Sequence, residues 1–190
     1  MKLLEERILR DGECRAGDVL KVDSFLNHQL DVELLCELGQ EFYRLFKEDG
    51  VTKILTVEAS GIAVACLAAQ YFHVPVVFAK KSKTSNISTD VYSASVDSYT
   101  HGVTNTIVVS KQYLHSKDRV LLIDDFLAKG NALIGLAALV EQAGATLVGA
   151  GSVIEKAYQG GGDILRRQGV RVESLARIAS LDPDDGIRFV

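Results

Sequence analysis

The chain has 190 residues, 47% of them apolar, enough to bury a sizeable core within the usual span of one domain. Twenty-five acidic residues against twenty-one basic ones leave a formal charge of −4, so no global positive field gathers nucleic acid and an anionic ligand must be held locally. Apolar runs such as VLLI at 120–123 stop far short of the roughly twenty residues a bilayer-spanning helix needs.

The opening MKLLEERILRDGE sets Leu and Ile at helical steps among charges, and it lacks the unbroken apolar stretch and small-residue cleavage site of a signal peptide. A helix and a cytoplasmic location are expected. Cys14, Cys36 and Cys66 are widely separated, without metal-ligand spacing or an even count for disulfides, and read as reduced, mostly buried thiols. Asp31 can cap a helix whose apolar face carries Leu35, Leu38, Phe42, Leu45 and Phe46, with the aromatics in the core.

Short β-branched runs at 51–55 with Val57, then at 74–78, 120–123 and 147–154, read as buried strands. Between them, 61–71 and 130–142 carry Ala and Leu at helical spacing, and this alternation predicts an α/β fold with a mostly parallel sheet flanked by helices. The polar, basic segment KKSKTSNIST at 80–89 is expected to be a mobile loop. Stricter alternation at 91–99 and 104–110, joined by THGV with Gly102, predicts an antiparallel hairpin beside the parallel core. DPDD at 182–185 reads as an exposed turn, and His28, His73, His101 and His115 share no metal-ligand spacing. No repeat or linker-like stretch divides the sequence, so a single domain over 1–190 is expected.

Chemistry concentrates in VLLIDDFLAKGNAL at 120–133: an apolar strand, two adjacent aspartates at its C-terminal end, a short loop and a helix. Ligands of α/β sheets bind at such strand ends. Backbone N–H groups of Ala128, Lys129, Gly130, Asn131 and Ala132 would face a phosphate at the helix N-terminus, and small side chains let it approach. Like charge keeps Asp124 and Asp125 off the phosphate, but both can accept hydrogen bonds from vicinal ribose hydroxyls. A nucleoside triphosphatase loop is excluded, because Lys129 and Gly130 are followed by Asn131 and lack the required glycine spacing with a following Ser or Thr.

The segment resembles the phosphoribosyl pyrophosphate signature of the type I phosphoribosyltransferases. It departs from many members of that family in having Lys129, and Ala132 nearby, where they carry Thr, so main-chain donors must do more of the phosphate binding. VEASGI at 57–62 is similar to the family's pyrophosphate-binding loop, which implies donors at Ser60 and Gly61; by itself, a strand ending in Ala-Ser-Gly is only a capped turn. The lysines Lys80, Lys81 and Lys83 fall where the family has a flexible loop that closes over the reacting groups; Lys80 and Lys81 are the stronger candidates.

GDVLKVDSFLNHQL at 17–30, IEKAYQGG and RVESLARI together resemble bacterial xanthine phosphoribosyltransferases over nearly the whole chain. The resemblance implies an N-terminal hood segment and helix over about 1–50, before a core of about 51–180. It also implies Leu20 and Asn27 over the purine, Lys156 approaching it from a strand end, and a homodimer. The expected reaction is transfer of ribose 5-phosphate from phosphoribosyl pyrophosphate to xanthine, with Mg2+ carried by that substrate and no fixed metal site. Adenine or hypoxanthine-guanine specificity would use the same sugar-phosphate machinery. A purine-sensing regulator of this fold is disfavoured, because the residues before the first core strand are few and not basic.

Overall fold

The computed structural model describes residues 1–82, 90–98 and 103–190. The N-terminal amphipathic pattern forms α1 (Lys2–Asp11), followed by a two-stranded antiparallel ribbon of β1 (Glu13–Arg15) and β2 (Val19–Lys21), and a single π-helical turn (Asp23–Asn27). The helix α2 (Val32–Phe46) starts where the Asp31 carboxylate accepts the Leu34 N–H at 3.1 Å, which satisfies one of the orphan donors of the first turn. Its stripe of Leu35, Leu38, Phe42 and Phe46 is buried, while Leu45 packs at the margin of the core.

The β-branched runs become β3 (Lys53–Val57), β4 (Val76–Ser82), β7 (Arg119–Leu127), β8 (Thr146–Lys156) and β9 (Val172–Asp182). These five pair in parallel in the order β9-β8-β7-β3-β4. Antiparallel strands close both sides: β10 (Gly186–Phe189) on β9, and the hairpin β5 (Val91–Ser98) and β6 (Val103–Ser110) on β4. The DPDD turn joins β9 to β10, with Asp182 Oδ1 accepting the Asp184 and Asp185 N–H groups at 2.8 and 3.0 Å. The THGV connection falls almost wholly outside the described residues, as does His101.

Crossovers run through α3 (Gly61–Phe72), α4 (Asn131–Gln142) and α5 (Gly161–Arg167). One core holds α1, the ribbon, α2 and α3 against Ile54, Leu121, Ile123 and Val153; the other holds α4 against Leu55, Leu122 and the hairpin residue Ile107. The crossovers leaving the adjacent strands β3 and β7 therefore cover opposite faces. The C-terminal ends of these two strands form a topological switch point, where the chain opens a crevice.

Two expectations change. Residues 80–82 are strand, not loop: Lys80 and Lys81 pair with Val108 and Ile107 of β6, and backbone pairing with the hairpin outweighs their polar character. Residues 83–89 lie outside the described residues. The cysteines are not mostly buried either, since Cys14 and Cys36 are partly exposed and Cys66 is on the open face of α3, whose Ala-rich sequence marks its buried side poorly.

Candidate active site

Two loops meet at the switch point. The first follows β3 and leads through Glu58, Ala59 and Ser60 into α3; the second follows β7 through Ala128, Lys129 and Gly130 into α4. Together with the strand ends they enclose a cleft of about 330 Å³, lined by Glu58, Ser60, Lys81, Asp124, Asp125, Phe126, Asn131 and Ala132. A smaller hollow of about 140 Å³ follows 126–133 and shares Phe126, Asn131 and Ala132 with the cleft. The sugar, phosphate and pyrophosphate candidates drawn from separate stretches of sequence are thus brought together.

Both aspartates lie within β7, Asp124 opposite Ser152 in register, and the strand continues to Leu127. Asp124 is 4% and Asp125 8% exposed. Asp124 Oδ1 accepts the Asp125 N–H at 3.0 Å and turns toward the start of α3, where a Cβ on Gly61 would fall 2.9 Å from it and 2.3 Å from Thr56 Oγ1. Only a glycine lets the loop after β3 approach β7 this closely. Burial, and next the neighbouring Asp125, push the Asp124 carboxyl well above the ordinary carboxylate range; Lys81 opposes weakly.

The loop at 128–130 takes its shape from backbone contacts. Gly130 has φ +86°, and α4 begins with the Ile134 N–H bonding its carbonyl at 2.9 Å. The first turn of α4 contributes Ala132 and Leu133 N–H groups with no acceptor inside the helix, at the positive end of its dipole. At α3, Ser60 is the N-cap and Gly61 the first helical residue. Both helix starts face one cleft, an arrangement suited to a ligand with phosphates at two ends.

Strand alternation separates the two lysines expected in a closing loop. Lys81 lines the cleft, and its N–H donates to Glu58 Oε1 at 2.6 Å; Lys80 lines a different groove between β4 and β6. Glu58 was not singled out in the sequence, although it lies inside VEASGI, because its role depends on the neighbouring strand. The hairpin residues Asn105 and Ile107 also line the cleft, and no local sequence pattern signals that.

Beyond Phe126, Lys156 ends β8, reaches the N-terminal ribbon by donating to the Asp18 carbonyl, and lies 5.8 Å from the centroid of the Phe126 ring. Burial lowers its pKa from the usual lysine value, with Asp18 opposing. Leu20 faces the core and Asn27 is exposed at the end of the π turn, so the hood reaches Lys156 through the turn before Leu20 and not through those two side chains. Among the described residues, no cluster of three His, Cys, Asp or Glu side chains encloses a metal position.

The sequence family described as the phosphoribosyl transferase domain matches residues 21–164. A xanthine phosphoribosyltransferase of Lachnoclostridium phytofermentans is 55% identical over 98% of this chain and 96% of its own, and one of Bacillus cereus is 55% identical over 100% of this chain and 96% of its own. Among solved structures, the adenine phosphoribosyltransferase of Giardia lamblia complexed with 9-deazaadenine superposes with a TM-score of 0.69 at 26% identity, covering 77% of this chain and 81% of that one. The Trypanosoma brucei adenine phosphoribosyltransferase, in complex with AMP, pyrophosphate and ribose-5-phosphate, gives a TM-score of 0.76 at 19% identity, covering 92% and 79%; that likeness is one of fold.

Proposed function

This chain belongs to the phosphoribosyltransferase family, and from that premise we propose that it transfers ribose 5-phosphate from phosphoribosyl pyrophosphate to xanthine, yielding xanthosine 5′-monophosphate and pyrophosphate. The observation that carries the reading is the single cleft in which two helix starts flank paired aspartates. The 5-phosphate sits against Ala128, Lys129, Gly130, Asn131 and Ala132. Asp124 and Asp125 hold the ribose hydroxyls, Ser60 and Lys81 of the cleft lining face the pyrophosphate, and Gly61 follows Ser60 as the first residue of α3. Lys156, held against the Asp18 carbonyl of the hood, reads the base: the cation favours the oxo groups of a dioxopurine and gives nothing to the amino group of adenine, while Leu20 anchors the hood in the core and Asn27 stays at its exposed edge.

In the reaction a purine ring nitrogen attacks the anomeric carbon as its bond to the pyrophosphate oxygen breaks, and positive character develops on the sugar ring. The chain's part is to align the two substrates and to hold charge at fixed dipoles, which gives most of the catalysis in such a displacement. The two aspartates offer oxygen donors of the hard type Mg2+ takes, too few to form a site alone, which fits an ion arriving on phosphoribosyl pyrophosphate and completing its shell with substrate oxygens and water. When bound, that ion neutralises leaving-group charge.

The N-terminal elements pack into the same core as the sheet, which supports reading residues 1–190 as one domain. A homodimer in the cytoplasm is the state implied by resemblance, and light scattering that gives a monomer would overturn the first part. Incubation with phosphoribosyl pyrophosphate and each of xanthine, guanine, hypoxanthine and adenine, followed by pyrophosphate release, tests the specificity. Xanthine is expected to give the highest kcat/KM, and adenine turning over as well as xanthine would refute the reading.

A further inference from the structure

The buried acid next to Lys156 has no part in the reaction described so far. Glu155 is 1% exposed near the end of β8, and it lies beside Leu127, the last residue of β7, and Arg177 of β9. Its carboxylate takes both Arg166 nitrogens at 2.9 Å in a bidentate pair and Arg177 Nε at 3.1 Å. Burial alone would raise this carboxyl, but Arg166, Ser174 and Arg177 outweigh burial and hold it below its ordinary value, so it is ionised at neutral pH. A carboxylate removed from water and gripped from two elements is a rigid point in the fold.

That point is wedged against the glycine start of α5. A Cβ on Gly162 would fall 2.1 Å from Glu155 Oε1 and 2.6 Å from Arg166 Nη1, so the helix start is seated directly on the ion pair. One residue earlier, the Gly161 N–H donates to the Ala128 carbonyl at 3.1 Å. A Cβ on Gly161 would lie 2.4 Å from Ala128 O, Lys129 C and Gly130 N, and one on Gly130 would lie 3.2 Å from Gly161 Cα and O. The contacts form an unbroken series from carboxylate to helix start to phosphate loop. No hydroxyl side chain assists in 128–132, so the backbone shape of the loop decides how well its donors converge.

We propose that Glu155 is a positioning residue for the 5-phosphate loop: its bidentate pair with Arg166 fixes Gly161 and Gly162, and Gly161 fixes the backbone of Ala128, Lys129 and Gly130. The inference rests on the reading of that loop as the phosphate site. It accounts for a buried charge cluster beside a loop that the carboxylate does not touch, and for two consecutive glycines whose replacement would strike the cluster on one side and the loop on the other.

Steady-state kinetics with each substrate varied in turn test it in Glu155→Gln and Gly161→Ala, with Asp118→Asn as a control. Asp118 forms a comparably buried pair with Lys53, 2.7 Å apart, at the opposite end of the parallel strands. Both test variants are expected to raise KM for phosphoribosyl pyrophosphate ~10-fold, because small misplacements of a binding loop have large effects, with KM for xanthine little changed. Asp118→Asn is expected to lower Tm and leave both KM values at wild type. A folded Glu155→Gln with wild-type KM for phosphoribosyl pyrophosphate overturns the proposal. So does an equal rise in both KM values, which would show general loosening or support of Lys156. If Glu155→Gln does not fold, Arg166→Gln decides by the same two criteria. Failure of the underlying reading is separable: there, Ala132→Leu would bind phosphoribosyl pyrophosphate as the wild type does.

Discussion

The loop proposed for the phosphate and the lysine proposed for the base are built differently. The loop is made of backbone: three residues between a strand and a helix, packed against another backbone at Gly161. The lysine is a matter of reach: Lys156 extends from a strand terminus to the carbonyl of a surface turn in a ribbon of two three-residue strands. A substrate part shared by every member of such a family can be met by fixed main-chain donors. A base that differs by one exocyclic group needs side chains that can be exchanged.

That contrast sets an order of effects. Ala132→Leu places a branched chain where cleft and phosphate hollow meet, and should weaken phosphoribosyl pyrophosphate binding by roughly 100-fold with the fold intact. Calorimetric titration at the wild-type affinity would place the cradle elsewhere. Lys156→Ala should act on the other substrate, with KM for xanthine rising about tenfold and the preference over hypoxanthine narrowing. Equal effects on both substrates would erase the distinction between the loop and the lysine.

The smallest effect concerns stability. The folded Asp124 carboxyl is raised, so the folded state binds its proton more tightly than the unfolded chain does. Its contribution is complete below the unfolded carboxylate value and is lost as pH rises through the folded one. Asp124→Asn should therefore raise Tm of the ligand-free protein by roughly 2–4 °C at about pH 8, with the gain vanishing toward about pH 4, while activity falls. A variant less stable than wild type at both pH values would mean that the charge is not resisted there.

The parallel core was legible because β-branched runs alternate with Ala- and Leu-rich segments, each with one dominant period, and the Asp31 cap because capping is local. The acids at 124 and 125 and the small-residue loop were legible for the same reason, since strand, loop and helix follow one another in sequence. What was hidden depends on partners far along the chain. Lys80 and Lys81 read as loop because their strand exists only through pairing with β6, and their separation onto opposite faces follows from that pairing. The glycine pair at 161 and 162 was visible, but not the acid and the loop that require it.

Asp31 does more than begin a helix. Its Oδ1 holds the first turn of α2, its Oδ2 meets Arg7 Nη1 at 2.6 Å, and the Arg7 guanidinium lies 5.0 Å from the Phe25 ring centroid in the π turn. So short a ribbon has no stability of its own and borrows it from this tie and from the buried Phe25 and Leu26. Anchoring and the contact with Lys156 are thereby assigned to different residues of one segment. For protein engineering, the turn around Gly17 and Asp18 becomes a replaceable module: it can be resequenced to change what meets Lys156 while the tether behind it stays as it is.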